Sequence, residues 1–228
     1  MLAAEGASVM VADPDVGAAE RVAGLIGDSA RHTQLSIANQ SAWNSAAEAT
    51  LHKFGNWNVL VNCEGFYCSG SIEDISLKNW HTLIETNVFG TMRGCRIAVN
   101  HFKLGGGSII NLSSVAGFVG GVDRCAYDSA NGAVRLLTKS VALYCAERDY
   151  KVRCNSIHVG IAESLMAHSF LADLDMPEER PTIEDSSRPW VFQGEPTDVG
   201  HMIVYLASEE SRIVTGAELV VDGGRTAK

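Results

Sequence analysis

A serine and a tyrosine, whose hydroxyl groups can donate or accept protons, lie in the middle of this 228-residue chain. Ser114 ends an apolar run, and Tyr127 follows thirteen residues later at the start of a long helical pattern. A phenol can donate or accept a proton, but its free pKa of about 10 leaves very little phenolate at neutral pH. A cation one helical turn away would favour the phenolate. Acid–base chemistry at Tyr127 therefore depends on a neighbouring cation.

The position one helical turn after Tyr127 holds Asn131, a neutral amide that can donate a hydrogen bond but brings no charge. Lys139 follows Tyr127 by twelve residues. Because an α-helix rises 1.5 Å per residue, that separation is roughly 18 Å, too far for Lys139 to act. Arg124 precedes Tyr127 by three residues and reaches the phenol only if the helix already includes it.

Short apolar runs alternate with longer amphipathic stretches and must position these residues. Strands are predicted at residues 8–13, 32–37, 58–62, 108–113, 151–158 and 218–221. Helices are predicted at residues 15–26, 40–54, 77–102, 126–147 and 196–208. Strands without polar alternation, separated by helices, are typical of a parallel sheet covered on both faces. The predicted fold is α/β, a doubly wound parallel sheet in a single domain over residues 1–228.

Composition and charge exclude several classes of function. Hydrophobic residues make up 46% of the chain and charged residues 20%, the balance of a folded globular protein. The net charge of −9 argues against a nucleic acid partner. We see no secretory signal, and no apolar run approaches the roughly 20 residues of a membrane span. Six cysteines form no Cys-x-x-Cys pair, which predicts free thiols in a reducing cytoplasm and no metal site.

Six motifs occur in the order found in the short-chain dehydrogenase/reductase family, which this chain resembles over nearly its whole length. Two form the centre, Asn111-Leu-Ser-Ser114-Val-Ala-Gly117 and Tyr127. The others are residues 59–65, 86–88, 152–160 and 215–224. One such motif would be weak, but six in order predict a Rossmann-like sheet with helices on both faces.

The resemblance implies hydride transfer between a nicotinamide and an alcohol or ketone. In the family a tyrosine is the acid and base toward the substrate oxygen, and a serine orients that oxygen. A lysine one turn later lowers the pKa of the tyrosine and holds the ribose, and an asparagine anchors a proton-relay water. Matched by position, the tyrosine is Tyr127, the serine is Ser114 and the asparagine is Asn87. Asn131 stands at the lysine position, so the catalytic lysine is absent.

The resemblance also implies residues for binding NAD. Asp13 stands where the family's acid takes the ribose hydroxyls, which implies NAD over NADP; the alternative is a helix cap. The remaining implied cofactor positions are Asn62, Gly65, Val159 and Gly160. Three positions depart from the family pattern: Ser36 replaces an aspartate that contacts adenine, Glu64 lies beside the cleft, and Val159 replaces a proline.

The family's first strand and glycine-rich phosphate loop have no counterpart, because the chain begins near the end of the first helix. Residues 8–13 are therefore expected either to pair with residues 58–62 or to leave a gap. Weak NAD binding follows from the lost loop. Two readings stay open. The favoured one is a non-catalytic pseudoenzyme. The alternative is a competent NAD-dependent alcohol or ketone dehydrogenase, steroid-like in its substrate, whose true start lies upstream.

Two further features bear on substrate and assembly. Residues 160–193 are polar and irregular, which is typical of a functional lid and predicts the substrate-binding region there. The helices at residues 77–102 and 126–147 carry apolar residues on more than one face, which predicts a homodimer or homotetramer. Those residues include Val88, Phe89, Val134, Leu137 and Val141.

Overall fold

Six parallel strands and the helices between them make up the part of the chain that the structure, a computed structural model, describes: residues 1–63, 65–160 and 194–227. The strands are β1 (Val9–Asp13), β2 (Ala30–Gln34), β3 (Val59–Asn62), β4 (Gly107–Ser114), β5 (Val152–Val159) and β6 (Glu218–Val221). The helices are α1 (Val16–Ile26), α2 (Gln40–Phe54), α3 (Leu77–Leu83), α4 (Gly90–Phe102), α5 (Cys125–Glu147) and α6 (Pro196–Ala207). The predicted α/β fold is confirmed. Glu64 and nearly all of the predicted lid lie outside the described residues.

The strands form two sheets instead of one. β1 pairs with β2, and β3, β4, β5 and β6 pair in that order, all in parallel. Among the described strands none lies between β1 and β3, so the expected gap is present and β1 does not pair with β3. The pairing brings the carboxyl ends of β3, β4 and β5 to one edge of the larger sheet.

Helices cover both faces of the four-stranded sheet because its central strands are apolar on both sides. Ile109 packs with Phe102 of α4 and Ala142 of α5 in one core cluster. Its neighbour Ile110 packs with Leu206 of α6 in another. Successive residues of a strand point to opposite faces. This alternation therefore places α4 and α5 on one face and α6 on the other.

The helix predicted at residues 77–102 contains a turn of π-helix. Ile84–Phe89 adopts this wider geometry between α3 and α4, and Asn87 lies within it. A uniform α-helix was therefore the wrong expectation here. Apolar spacing does not distinguish the two geometries, and single π turns are often found at functional sites.

The second strand was predicted too far along the chain. β2 ends at Gln34, whereas the sequence indicated residues 32–37. Leu35 and Ile37 lie beyond the strand and are buried against Trp43 of α2. Their apolar character therefore reflects packing under a helix rather than membership of the sheet.

One residue expected to contribute to an oligomer interface is buried in the structure. Val134 is only 3% exposed and belongs to the core, so it cannot take part in an interface. Leu136 and Leu143, one heptad apart on α5, are 63% and 71% exposed. Within the described part of the chain, no helix is both long and apolar enough to cross a bilayer.

Candidate functional site

Ser114 is the last residue of β4 and lies at the carboxyl edge of the larger sheet. Its side-chain oxygen accepts a hydrogen bond from the Ala116 amide at 3.1 Å, which caps the short 3-10 turn Val115–Gly117. In the ladder, Ser114 pairs with Val159 of β5. Strand pairing and the cap together fix the position of this hydroxyl.

Tyr127 lies in the first turn of α5, opposite Ser114. Burial raises the pKa of its phenol above the ordinary value, although hydrogen bonds from the Ser114 and Asn131 side chains oppose that shift. The ring of Tyr67 packs edge-on against the Tyr127 ring, with centroids 5.1 Å apart. The structure thus brings the predicted serine and tyrosine together and keeps the phenol protonated at neutral pH.

The two candidate cations lie in different surroundings. Arg124 Nε lies 2.9 Å from Asp128 Oδ1. The Arg124 charge lowers the pKa of Tyr127 and the Asp128 charge raises it, so the two charges oppose each other at the phenol. Lys139 Nζ lies 2.9 Å from Glu218 Oε1 on β6 and pairs with that carboxylate.

Asn131 is held by the helix and the neighbouring strand. Its Nδ2 donates to the Tyr127 carbonyl at 2.9 Å, and its Oδ1 accepts from Ser113 Oγ at 3.2 Å. The residue is only 6% exposed. The amide thereby joins α5 to β4 directly behind the serine–tyrosine pair, but supplies no charge to it.

The side chain of Asn87 hydrogen-bonds to the backbone of the segment that follows β3. Its Oδ1 accepts from the Phe66 amide at 2.7 Å, and its Nδ2 donates to the Phe66 carbonyl at 2.8 Å. Both polar atoms of the side chain therefore contact backbone groups. The predicted position Gly65 immediately precedes Phe66, so Asn87 fixes the segment that contains it.

The remaining predicted cofactor positions occupy the strand ends. Asp13 Oδ1 accepts from the Asp15 amide at 2.8 Å, while Asp15 itself caps α1. The Gly160 amide donates to the Val221 carbonyl at 2.9 Å, and a Cβ on Gly160 would lie 2.9 Å from Asp222 Cα. Glycine is thus required directly after Val159 by the close approach of β6.

The side chain of Asn62 points away from the carboxyl edge of the sheet and hydrogen-bonds to a neighbouring strand. Its Nδ2 donates to Asn111 Oδ1 at 2.8 Å, and Asn111 Nδ2 donates to Thr138 Oγ1 at 2.9 Å. This buried chain of amides links β3, β4 and α5. The contact lies on the face of the sheet that carries α5, so only the backbone of Asn62 is available at the strand end.

His158 is a buried residue beside the site that the sequence did not single out. Its Nδ1 lies 3.2 Å from the Ser114 carbonyl, and its Nε2 lies 2.9 Å from Ser156 Oγ. A carbonyl only accepts, so Nδ1 carries the proton and Nε2 accepts from the serine. Burial lowers the pKa of His158, which keeps the ring neutral. His158 thus anchors the backbone of Ser114.

The His158 ring should make folding sensitive to mild acid. Its pKa is about 6.5 in the unfolded chain and lower in the folded one, so acid protonates the unfolded chain first. The free energy of unfolding therefore falls as pH drops below about 6.5, by at most about 1.4 kcal/mol per pH unit. His158→Gln should remove this slope in urea titrations between pH 7 and pH 5.

The matched control is His32→Gln, because His32 is exposed and its loss removes an imidazole without disturbing Ser114. The role assigned to His158 would be wrong if the slope between pH 7 and pH 5 were the same in His158→Gln as in the parent chain.

Comparison with known proteins extends along the whole chain. A family model described as enoyl-(acyl carrier protein) reductase matches residues 1–226. The NADP-dependent (R)-specific alcohol dehydrogenase of Lentilactobacillus kefiri is 38% identical over 228 residues, which cover 98% of this chain and 88% of that protein. The 3-alpha-(or 20-beta)-hydroxysteroid dehydrogenase of Mycobacterium tuberculosis (strain ATCC 25618 / H37Rv) is 36% identical, over 99% of this chain and 82% of that protein.

A solved structure has a similar fold. It is 3-ketoacyl-(acyl-carrier-protein) reductase from Brucella melitensis complexed with NADH, which is 28% identical to this chain. The two structures superpose with a TM-score of 0.87 over 98% of this chain and 90% of that one.

Proposed function

This chain belongs to the short-chain dehydrogenase/reductase family, and we propose that it forms an oxidoreductase scaffold for alcohol–ketone interconversion with weak or no turnover of its own. The observation that carries the proposal is the pairing of Ser114 with a Tyr127 phenol whose pKa burial raises. The residue one turn later, Asn131, supplies no charge to bring that pKa down. The scaffold thus presents the acid of the reaction in a poorly tuned form.

The chain's own residues support a simple division of labour in ketone reduction. Ser114 Oγ would donate a hydrogen bond to the carbonyl oxygen, and the Tyr127 phenol would give that oxygen its proton. A bound nicotinamide cofactor supplies or removes the hydride. Asn131 and His158 would act as positioning residues, because they hold the backbone of Tyr127 and Ser114.

The described residues fit the nicotinamide and ribose ends of such a cofactor better than its diphosphate. At the nicotinamide end, Gly160 lets the backbone pass close to β6, and Ser114 lies beside Tyr127. At the ribose end, Asp13 ends β1 with a carboxylate, while Asp15 already accepts from the first amides of α1. No glycine-rich turn that links a strand to a helix precedes β1 in the described residues, so we expect weak binding of the diphosphate.

Asp13 supports NAD as the preferred cofactor. A carboxylate accepts hydrogen bonds from ribose hydroxyls but repels the extra phosphate of NADP. One relative is named NADP-dependent and the solved neighbour is complexed with NADH, so relatives alone do not decide the preference. NADH is therefore expected to bind more tightly than NADPH.

The second candidate is a competent NAD-dependent alcohol or ketone dehydrogenase. It is favoured by relatives named for dehydrogenation of an alcohol and of hydroxysteroids, each covering nearly all of this chain. The two candidates differ in rate. Purified chain should be titrated with NADH and NADPH by nucleotide fluorescence, and then assayed against a panel of small and steroid ketones.

The favoured proposal predicts weak nucleotide binding and slow or undetectable turnover, and Tyr127→Phe should remove any rate that remains. A parent rate of about 1 s⁻¹ or more with any alcohol–ketone pair would establish the competent enzyme instead.

We also propose a homodimer or homotetramer that associates through α5. Leu136 and Leu143 expose apolar surface on one side of this helix. Leu143→Glu should shift the chain toward monomer in light scattering at micromolar concentration. The matched control is Leu25→Glu, which alters an 89% exposed leucine on α1. A parent chain that is monomeric at this concentration would contradict the proposal.

The cytoplasm is the proposed location. All six cysteines are free thiols, and three of them, Cys95, Cys145 and Cys154, are buried. Free thiols persist in reducing compartments. Localisation of a tagged full chain by fractionation would test this.

A further inference from the structure

The segment at residues 66–70, which follows β3, lies against the start of α5 and brings an aromatic ring to Tyr127. The Tyr67 ring meets the Tyr127 ring nearly at right angles, with centroids 5.1 Å apart and an interplanar angle of 81°. Aromatic rings in edge-to-face contact have their centroids about 4.5–7 Å apart. The two rings therefore touch, and no alkyl group fits between them. We call residues 66–70 the flanking segment.

The flanking segment is anchored at both ends, which leaves Tyr67 little freedom to move away from Tyr127. At one end, the side chain of Asn87 holds the amide and the carbonyl of Phe66 at 2.7 and 2.8 Å. At the other end, the Gly70 amide donates to the carbonyl of residue 123 at 2.8 Å. Because only a few residues separate these anchors, the Tyr67 ring is a fixed wall on one side of Tyr127.

Tyr67 covers only part of the Tyr127 side chain. Burial is the largest cause of the raised pKa of Tyr127, and the Tyr67 ring is one of the groups that exclude water there. Tyr127 nevertheless remains partly exposed. A substrate carbonyl that reaches the phenol must therefore approach from the side that Tyr67 leaves open, with one of its substituents beside the Tyr67 ring.

We propose that Tyr67 is a specificity-determining residue, which admits ketones that carry a small alkyl substituent on the side facing its ring. The larger substituent then points away from Tyr67. This inference rests on the proposed function, because it requires a carbonyl oxygen to bind beside Ser114 and Tyr127. An apolar pocket discriminates by about 10–200-fold for one extra methylene. The substrate class is therefore methyl ketones and the corresponding secondary alcohols, rather than ketones that are bulky on both sides.

The experiment measures ketone binding, so that it does not depend on turnover. The probes are cyclohexyl methyl ketone and cyclohexyl isopropyl ketone, which differ only in the smaller substituent. Each is titrated, with and without NADH, into the full chain labelled with ¹³C in its tyrosine rings. The NMR shift of Tyr127, assigned with Tyr127→Phe, reports binding at the site. We expect the parent chain to bind the methyl ketone at least about tenfold more tightly than the isopropyl ketone.

Tyr67→Ala should reduce this ratio to less than about threefold, because it removes the ring that excludes the isopropyl group. Tyr67→Phe, which keeps the ring and loses the hydroxyl group, should retain the ratio. The matched control is Tyr144→Ala, which removes a tyrosine from another edge-to-face pair, with Tyr150. Tyr144 lies on α5 about 25 Å beyond Tyr127, so this variant should also retain the ratio.

A second readout of the same variants needs no ketone. Tyr67→Ala should admit water to the phenol, so the pKa of Tyr127 should fall toward its ordinary value. Tyr67→Phe should leave that pKa nearly unchanged, because the ring still excludes water. If Tyr67→Ala does not fold, Tyr67→Val is measured in its place, and the same two results are expected. An unchanged pKa in the folded variant would show that the Tyr67 ring does not shield the phenol.

The outcomes separate the role of Tyr67 from the proposed function. Equal binding of the two ketones by the parent chain, or an unchanged ratio in Tyr67→Ala, would overturn the role of Tyr67 and leave the proposed function standing. Loss of the ratio in Tyr67→Phe would assign the discrimination to the hydroxyl group and overturn the role of the ring. A parent chain in which neither ketone shifts Tyr127, even with NADH, would contradict the proposed function and the substrate class together.

Discussion

Asn131→Lys is expected to lower the pKa of Tyr127 from its present raised value toward the neutral range. Burial disfavours the phenolate, and the hydrogen bonds from Ser114 and Asn131 only partly oppose that effect. An ammonium group one helical turn away adds an opposite charge, which favours the ionised phenol. Because Asn131 is nearly buried, little water would screen this interaction. The shift is therefore expected to exceed one pKa unit, or about 1.4 kcal/mol.

The measurement is a pH titration by NMR of the chain labelled with ¹³C in its tyrosine rings. Tyr127→Phe assigns the resonance, because the chain has five tyrosines. Asn131→Gln is the matched control, since it lengthens the side chain without adding charge and should leave the titration nearly unchanged. If Asn131→Lys titrates like Asn131→Gln, charge at this position does not tune the phenol.

The same substitution should raise turnover only where a nucleotide can bind. A well-tuned acid or base contributes about 10²–10⁴ in rate. Where nucleotide binding is as weak as we propose, that gain stays hidden, so Asn131→Lys alone should recover little activity. Adding a family-type strand and glycine-rich turn before Met1 should restore NADH binding, seen as a fluorescence change. Both repairs together should give measurable ketone reduction. Full activity from either repair alone would contradict the proposal that cofactor binding and proton transfer are both impaired.

The order of the elements was predictable because their signals are local. The strands β3 and β4 contain short apolar runs, Val59–Val61 and Ile109–Ile110, and the helices carry their apolar residues at helical spacing. The spacing of Ser114 and Tyr127 also placed them at adjacent ends of a strand and a helix. Pairing of β4 with β5 and the start of α5 then bring the two side chains together.

The features that the sequence did not predict depend on contacts between distant segments of the chain. His158 reads as one polar residue in a strand, and only the packing of β5 beside β4 shows that it anchors Ser114. The sequence left open whether Arg124 supplies a positive charge to the Tyr127 phenol. In the structure, Arg124 forms an ion pair with Asp128 at the start of α5. The split between the sheets follows from which strands pair, and the pattern within β1 or β3 does not encode that choice.

Asn62 shows the same limit at a predicted cofactor position. The motif assigned it to the cofactor edge, but its side chain lies in the interior and bonds Asn111. Asparagine at the end of a buried strand is compatible with either place. Asn111 and Thr138 set the direction of the Asn62 side chain, because they offer a hydrogen-bonded network on the face of the sheet that packs against α5.

Asn111→Ala is expected to cause the largest loss of stability of any single substitution in this network. Asn111 is 0% exposed, accepts from Asn62, donates to Thr138 and lies 3.6 Å from Cys154 Sγ. Its loss leaves the Asn62 amide with only the long 3.9 Å contact to Cys95 Sγ, at a cost of about 1–3 kcal/mol. It also opens a cavity in a packed core. We therefore expect a decrease of about 3 kcal/mol in the free energy of unfolding, measured by urea with an unchanged m-value.

The matched control is Asn44→Ala on the exposed side of α2, which should change stability by no more than about 0.5 kcal/mol. A double-mutant cycle separates the lost hydrogen bond from the cavity. Asn62→Ala combined with Asn111→Ala should cost less than the sum of the two single changes, because neither buried partner is then left unpaired. Additivity within about 0.3–0.5 kcal/mol would mean that the 2.8 Å contact between the two amides contributes no coupling, and that packing alone holds β3 beside β4 at this point.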